Sequence, residues 1–202
     1  MTASARGRGL ALVALLATGC ATDDQIRGAL IDVNNEFRQQ YERILAENGT
    51  RVYKVKRQEA FNATRIALTR LAMRIGGQSE ELGYLNVFAP APVPLSPDEW
   101  RQAADRDLPK LRELAKKHVG LMAYFVKFEP EGLEIVINST TIEVPGGTEV
   151  SLTMRMREIA PPPSGMPRRE YPPPSAVRMG LDKIWRELEA ELKTSGVAVK
   201  PR

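Results

Sequence analysis

The segment 133–159 constrains the fold of this chain more than any other. Two apolar runs, Leu133–Val144 and Thr148–Ile159, are separated by Pro145-Gly146-Gly147, residue types that favour a tight turn. In the second run the side chains alternate, with Val150, Leu152, Met154 and Met156 on one face and Glu149, Ser151, Thr153, Arg155 and Arg157 on the other. This alternation is typical of an antiparallel strand with one buried and one exposed face. The rest of the chain must therefore cover an apolar sheet face.

Three further strands and four helices are predicted from the remaining periodicity. The strands are Thr50–Arg57, Leu82–Phe88 and Leu121–Phe128, while Gly76-Gly77 is interpreted as a turn. Apolar residues at helical spacing predict the helices Asp24–Asn48, Gln58–Met73, Ser96–His118 and Ser175–Leu192, the last with Ser175 as its N-cap. We therefore expect an α+β fold of two layers. A mainly antiparallel sheet of about five strands would carry helices, notably the second and the last, on one face.

Proline-rich connectors separate these elements at residues 89–97 and 160–174. Because proline lacks a backbone donor, neither connector fits a central strand, and the second is expected to be stiff and extended. Within it, Arg168, Arg169 and Tyr171 combine charge and an aromatic ring on a segment with little entropy to lose. That combination suits recognition of a partner surface. The alternative interpretation is a rigid strap between a strand and a helix.

The first predicted helix carries one apolar stripe along its whole length, formed by Ile26, Leu30, Val33, Phe37, Tyr41 and Ile44. Such a stripe most often packs into the core of its own domain. The alternative is that the stripe docks on another protein or lies along a membrane surface.

Residue types that carry out catalysis are scarce in this chain. His118 is the only histidine and Cys20 the only cysteine, which excludes a histidine-based triad, a multi-histidine metal site and a disulfide within the chain. On its helix stripe His118 is expected to be a packed or capping residue rather than a base. No phosphate-binding glycine motif, nucleophile elbow or calcium loop occurs. We therefore predict a protein that is not an enzyme, with no catalytic residues, no metal site and no cofactor.

The N-terminal segment has the layout of a secretory signal. Arg6 and Arg8 precede an apolar stretch, Leu10–Ala17, that is too short to span a bilayer. The run Leu16-Ala17-Thr18-Gly19-Cys20 that follows resembles the lipobox of bacterial lipoproteins. The resemblance implies that a diacylglycerol alkylates the thiol of Cys20, that long acyl chains such as palmitate anchor the protein, and that the chain is cut just before Cys20.

This resemblance divides the chain into a signal peptide (1–19), a lipid-anchored amphipathic helix (20–49), an α+β domain (50–193) and a flexible tail (194–202). Removal of Arg6 and Arg8 with the signal lowers the net charge from +4 to +2. So small a charge makes no case for nucleic-acid binding. In the best-known lipoproteins an aspartate after the cysteine retains the protein in the inner membrane. Ala21 stands at that position here, which implies the periplasmic face of the outer membrane.

The order of helices and strands, together with the lipobox, resembles the helix-grip domains in lipoproteins of the outer-membrane protein assembly machinery. We therefore expect a non-enzymatic accessory or scaffold that binds other envelope proteins. The alternative is a periplasmic carrier that holds a lipid or other apolar ligand between sheet and helices. Met154, Met156 and Met179 have the adaptable side chains that such a cavity would use, although filling the core is their plainer role.

Overall fold

The computed structural model describes residues 21–194, so Cys20 and residues 195–202 lie outside the described part of the chain. Within it the helices are α1 (Asp23–Asn48), α2 (Arg57–Arg70), α3 (Pro97–Val119) and α4 (Pro174–Thr194). The strands are β1 (Thr50–Tyr53), β2 (Arg74–Ser79), β3 (Tyr84–Pro90), β4 (Leu133–Val144) and β5 (Gly147–Glu158). A short 3₁₀ helix, Gly120–Phe125, follows α3.

The five strands form one antiparallel sheet in the order β1-β5-β4-β3-β2. The hairpin of β4 and β5 supplies its centre, with Ile137 opposite Met154 and Ile135 opposite Met156. These side chains share the face that α2 and α4 cover, whereas Arg155 and Arg157 are exposed on the other face. The α+β fold with helices packed on a mainly antiparallel sheet is thus confirmed.

Helix α4 forms the centre of the helical layer. Trp185 and Leu181 are fully buried against the sheet, and the indole Nε1 of Trp185 donates to the backbone carbonyl of Asn48, 2.7 Å away. At Gly180 the helix approaches β5 so closely that a Cβ atom would lie 2.6 Å from the sulfur of Met154. The described side chains therefore fill the space between the sheet and α4.

Helix α1 belongs to the same core. Phe37, Tyr41 and Ile44, in the C-terminal half of its stripe, are buried together with the residues under α4. The helix runs directly into β1 through Gly49, whose carbonyl accepts from the backbone N–H of Leu152. The predicted boundary at residues 49–50 therefore does not separate two independently packed units.

The predicted strand Leu121–Phe128 is wrong. After α3, Gly120 adopts a φ of +56° and residues 120–125 form the 3₁₀ helix instead. Ala123 is buried against Ala29 of α1, whereas Leu121, Tyr124 and Phe125 are exposed. The apolar composition of this run thus reflects an exposed surface and not a central strand.

The interpretation of Gly76-Gly77 as a turn is also wrong, because both residues lie inside β2. A bulge between Ile75 and Gly77 shifts the register of β2 against β3. A Cβ atom at Gly76 would lie 2.8 Å from the side-chain oxygen of Asn86 and 3.0 Å from the ring of Phe88. Glycine here permits close approach to β3, a recognised use of glycine in strands.

The N-terminus of α4 is capped from another helix rather than by Ser175. The helix begins at Pro174, and both the backbone N–H and the hydroxyl of Ser175 donate to the carboxylate of Asp107 in α3, each over 2.8 Å. Burial raises the pKa of Asp107, and the two hydrogen bonds from Ser175 oppose that effect. Asp107 therefore joins α3 to α4.

Replacing Asp107 by alanine removes the acceptor for both groups of Ser175 and is expected to lower the free energy of unfolding by about 1–2 kcal/mol, as for other helix caps. Urea denaturation followed by circular dichroism measures the change. Asp107→Asn is the matched control, because its amide oxygen still accepts from the N–H of Ser175, and it should lose less than half as much. Equal losses in the two variants would contradict the capping role.

Candidate functional site

Cys20, the predicted lipidation site, lies outside the described residues, but the chain directly after it is well defined. Helix α1 begins at Asp23, three residues beyond Cys20. A capping box closes its first turn: the side chain of Thr22 accepts from the N–H of Gln25, and the side chain of Gln25 accepts from the N–H of Thr22. Anything attached to Cys20 is therefore separated from a capped helix by very few residues.

The predicted partner-binding residues lie on a strap that runs from β5 back to α4. Arg169 is mostly buried, and its Nε donates to Glu158 over 2.7 Å, with both side chains only 12% exposed. Tyr171 is buried, with its ring 5.2 Å from that of Tyr41. Arg168 is exposed, and its carbonyl accepts from the side chain of Asn34. Of the three, only Arg168 offers its side chain to a partner, and that role stays a prediction.

The strap also closes the exposed edge of the sheet. Strand β1 pairs with β5 only as far as Ser151, so the last residues of β5 lack a neighbouring strand there. The carbonyl of Glu170 accepts from the N–H of Met156 over 3.1 Å. Arg155 lies over the ring of Tyr171 at 5.0 Å and over that of Tyr41 at 5.5 Å. This arrangement fits the alternative interpretation of residues 160–174 as a structural strap.

An apolar groove lies between α1 and α3, and the strap closes one end of it. Ile26, Leu30 and Val33 form one wall, so the N-terminal half of the α1 stripe lines a surface feature while the C-terminal half is core. Arg169 and Tyr171 are at the closed end, where the buried Nη1 of Arg169 has no hydrogen-bond partner among residues 21–194. The groove encloses about 60 Å³. This is far below the roughly 300–1,000 Å³ of typical ligand pockets.

Leu121, Tyr124 and Phe125 form an exposed apolar cluster that the sequence pattern did not predict, and we call it the apolar tip. These side chains are 74%, 57% and 70% exposed. Lys116 and Lys117 precede the tip and Lys127 follows it; all three are exposed, and no carboxylate occurs between residues 116 and 127. The signal was present in the sequence as a basic and apolar run, but its apolar part was interpreted as a strand.

His118 fixes the tip next to the beginning of α1. Its Nε2 lies 2.8 Å from a carboxylate oxygen of Asp32, and its ring lies against Gly28, where a Cβ atom would be only 2.6 Å from Nδ1. One turn further on, Ala123 packs with Ala29 and Ala115. His118 thus lies between two helices, against Gly28 and paired with Asp32.

Two of the side chains with displaced pKa values, Tyr53 and Glu99, belong to contacts between structural elements. Burial raises the pKa of Tyr53, and the nearby carboxylate of Glu189 raises it further. Glu189 also accepts from Arg51 over 2.5 Å, which joins β1 to α4. The hydrogen bond from Lys183 lowers the pKa of Glu99, and this pair joins α3 to α4 over 2.7 Å. These shifts arise from packing between elements and do not mark a reactive cleft.

The described part of the chain contains neither a cluster of metal ligands nor a membrane-spanning helix. Within residues 21–194, no three His, Cys, Asp or Glu side chains come together in a way that could hold a metal ion. No helix in that range is both long and apolar enough to cross a bilayer. Comparison with protein-family models, with curated proteins and with solved structures finds no match.

Proposed function

We propose that this chain is a lipid-anchored, non-enzymatic protein of the bacterial envelope that binds other envelope proteins at the periplasmic face of the outer membrane. The observation that carries the proposal is the lipobox-like run Leu16-Ala17-Thr18-Gly19-Cys20, placed three residues before a capped helix. That helix packs into the core of the domain that residues 21–194 form. A lipid on Cys20 would therefore hold a folded body directly at the membrane surface.

The packing supports a binding protein over a carrier. A carrier needs room for its ligand between sheet and helices, and that space is occupied by fully buried side chains such as Met154, Leu181 and Trp185. The apolar groove of about 60 Å³ has room for a small aliphatic group and not for an acyl chain. A scaffold requires no cavity, since its surface makes the contacts.

Replacing Cys20 by alanine is expected to abolish acylation and to release the protein from membranes, or to leave its precursor uncut. Cys20 is the only cysteine, so no other thiol can take its place. The test is the intact mass of the membrane-extracted protein, together with metabolic labelling by palmitate. Thr18→Ser, a small change in the same segment, is the matched control and should keep the lipid. An unmodified parent protein, or unchanged membrane partition of Cys20→Ala, would refute the anchor.

The same membrane extract separates scaffold from carrier. Cross-linking followed by purification should recover one or a few envelope proteins above the level of an unrelated lipoprotein, and Arg168→Glu should reduce that recovery if the strap contributes. Native mass spectrometry of the purified protein should show no mass beyond chain and anchor. If the protein instead retains an apolar ligand and no partner is cross-linked, the carrier hypothesis would be supported and the scaffold hypothesis refuted.

A further inference from the structure

We propose that the apolar tip inserts into the surface of an anionic phospholipid bilayer and fixes the orientation of the domain at the membrane. This role deepens the proposed function and rests on it for the presence of a membrane. Leu121, Tyr124 and Phe125 are the residues that would enter the lipid, and Lys116, Lys117 and Lys127 would contact the headgroups. Neither group takes part in the anchor chemistry of Cys20.

The composition of the tip matches an interface between water and lipid. Leucine and phenylalanine supply apolar surface, while tyrosine places a ring at headgroup depth with its hydroxyl in water. Lysines beside such a patch are attracted to anionic lipid. Lys116 and Lys117 precede the tip, and the nearest acid before them in the sequence, Glu113, contacts Lys110 at 3.2 Å, whereas the exposed Glu129 and Glu131 follow Lys127. Lys116 and Lys117 therefore favour an anionic lipid surface over an apolar protein surface as the occupant.

The position of the apolar tip in the molecule also supports a lipid surface as its partner. His118 touches Gly28, which lies five residues into α1, or about 8 Å along the helix axis from Asp23. The three residues from Cys20 to Asp23 extend the chain by at most about 11 Å. The point of lipid attachment and the apolar tip therefore lie at the same end of the molecule.

Acids at this end lie both after the tip and on α1. Glu129 and Glu131 are exposed, two and four residues beyond Lys127. Asp32 is paired with His118 at 2.8 Å, and Asp24 lies 3.3 Å from Arg27. Asp23 is exposed in the first turn of α1, where it is stabilised by the partial positive charge of the helix N-terminus. Asp32 is therefore held by His118, while Glu129 and Glu131 offset the charge of Lys127. Lys116 and Lys117 are the lysines beside the tip that stay exposed to approaching headgroups.

A fluorescent label that responds to its environment tests insertion directly. In the full chain with Cys20→Ser, Leu121→Cys supplies one thiol at the tip, and vesicles of phosphatidylcholine mixed with phosphatidylglycerol are added. The matched control is Leu82→Cys, since Leu82 is also 74% exposed but lies next to Gly83, whose carbonyl accepts from Thr141 near the far end of β4. We expect a blue shift and quenching by brominated lipid for the label at 121, and neither for the label at 82.

The lysines are tested in the same assay. Lys116→Gln combined with Lys117→Gln should raise the amount of anionic lipid needed for the half-maximal shift by about twenty-five-fold, from roughly fivefold for each lysine. Lys54→Gln combined with Lys193→Gln removes equal charge elsewhere and should change it little. Vesicles of phosphatidylcholine alone should give a much weaker shift.

Three results would overturn the inference: no shift at position 121, equal shifts at 121 and 82, or a shift that occurs only with envelope proteins and not with vesicles. The Cys20→Ser chain cannot be acylated at that position. If the label at position 121 shows no insertion, the proposed lipid on Cys20 is still tested separately by the mass of the extracted protein. If Cys20 proves not to be acylated, the vesicle experiment still reports whether the apolar tip inserts.

Discussion

Replacing Trp185 by alanine is expected to lower the free energy of unfolding by about 3–5 kcal/mol, as for other buried aromatic side chains. The indole of Trp185 is fully buried between α4 and the sheet, so its removal leaves a large cavity in a close-packed core. It also leaves the carbonyl of Asn48 without its donor at 2.7 Å. Since that bond joins the end of α1 to α4, the loss affects both helices.

Trp185→Phe separates the two contributions, because it keeps most of the ring volume and removes the N–H donor. We expect it to lose about 1–2 kcal/mol, the cost of a buried carbonyl left without a partner together with a small cavity. Equilibrium urea denaturation of both variants gives the comparison. A Trp185→Ala protein with stability near that of the parent would show that α4 does not cover the sheet as described.

Replacing Arg169 by alanine is expected to cost about 3–5 kcal/mol, because it leaves the carboxylate of Glu158 buried without its cation. Both side chains are 12% exposed and the Nε to Oε1 distance is 2.7 Å. The strap should loosen as well, since Arg169 is adjacent to Glu170, whose carbonyl accepts from Met156. Amide hydrogen exchange at Met156 should therefore accelerate more than exchange in β4.

Arg169→Met combined with Glu158→Leu removes both charges and provides a direct control. Replacing a whole buried ion pair by apolar residues of similar size is often neutral or stabilising. The double variant should therefore be much more stable than Arg169→Ala and close to the parent. Arg168→Ala, which changes an exposed neighbour, should be almost silent. If Arg169→Ala and Arg168→Ala behaved alike, the burial of the ion pair would be wrong.

The parts of the fold that the sequence predicts are those with strong local signals. Strand β5 alternates strictly because one of its faces is covered. Helix α3 begins where Ser96 and Glu99 form a capping box, with 3.2 Å and 2.6 Å between the paired atoms. In each case neighbouring residues alone decide the local conformation, so no knowledge of the tertiary structure is needed.

The predictions that were wrong concern segments whose structure depends on residues far away in the sequence. Strand β2 has no buried side chain and two glycines, and it forms because β3 offers it an edge. The run Leu121–Phe128 has strand-like composition, yet Ala123 is held against Ala29, which lies far earlier in the chain. A pattern within one segment cannot report either interaction.

The features of the candidate site also fall into those that local sequence predicts and those that depend on distant residues. The run Leu16-Ala17-Thr18-Gly19-Cys20, which resembles a lipobox, is visible in the sequence alone. The burial of Arg169 and Tyr171 is not, because it depends on Glu158 in β5 and on Tyr41 in α1. The apolar tip became recognisable only when the exposure of Leu121, Tyr124 and Phe125 was known, since an exposed and a buried apolar run have the same composition.

The close connection of α1 to the core would limit how far the protein could reach from a membrane if Cys20 carries the proposed lipid. Many surface-tethered proteins use a long disordered leash that lets them sample a wide volume. Here a helix of 26 residues, roughly 39 Å long, starts three residues after Cys20 and is packed over much of its length. With the proposed lipid on Cys20, a partner would have to come to the bilayer itself, because only three residues of chain separate Cys20 from the packed helix.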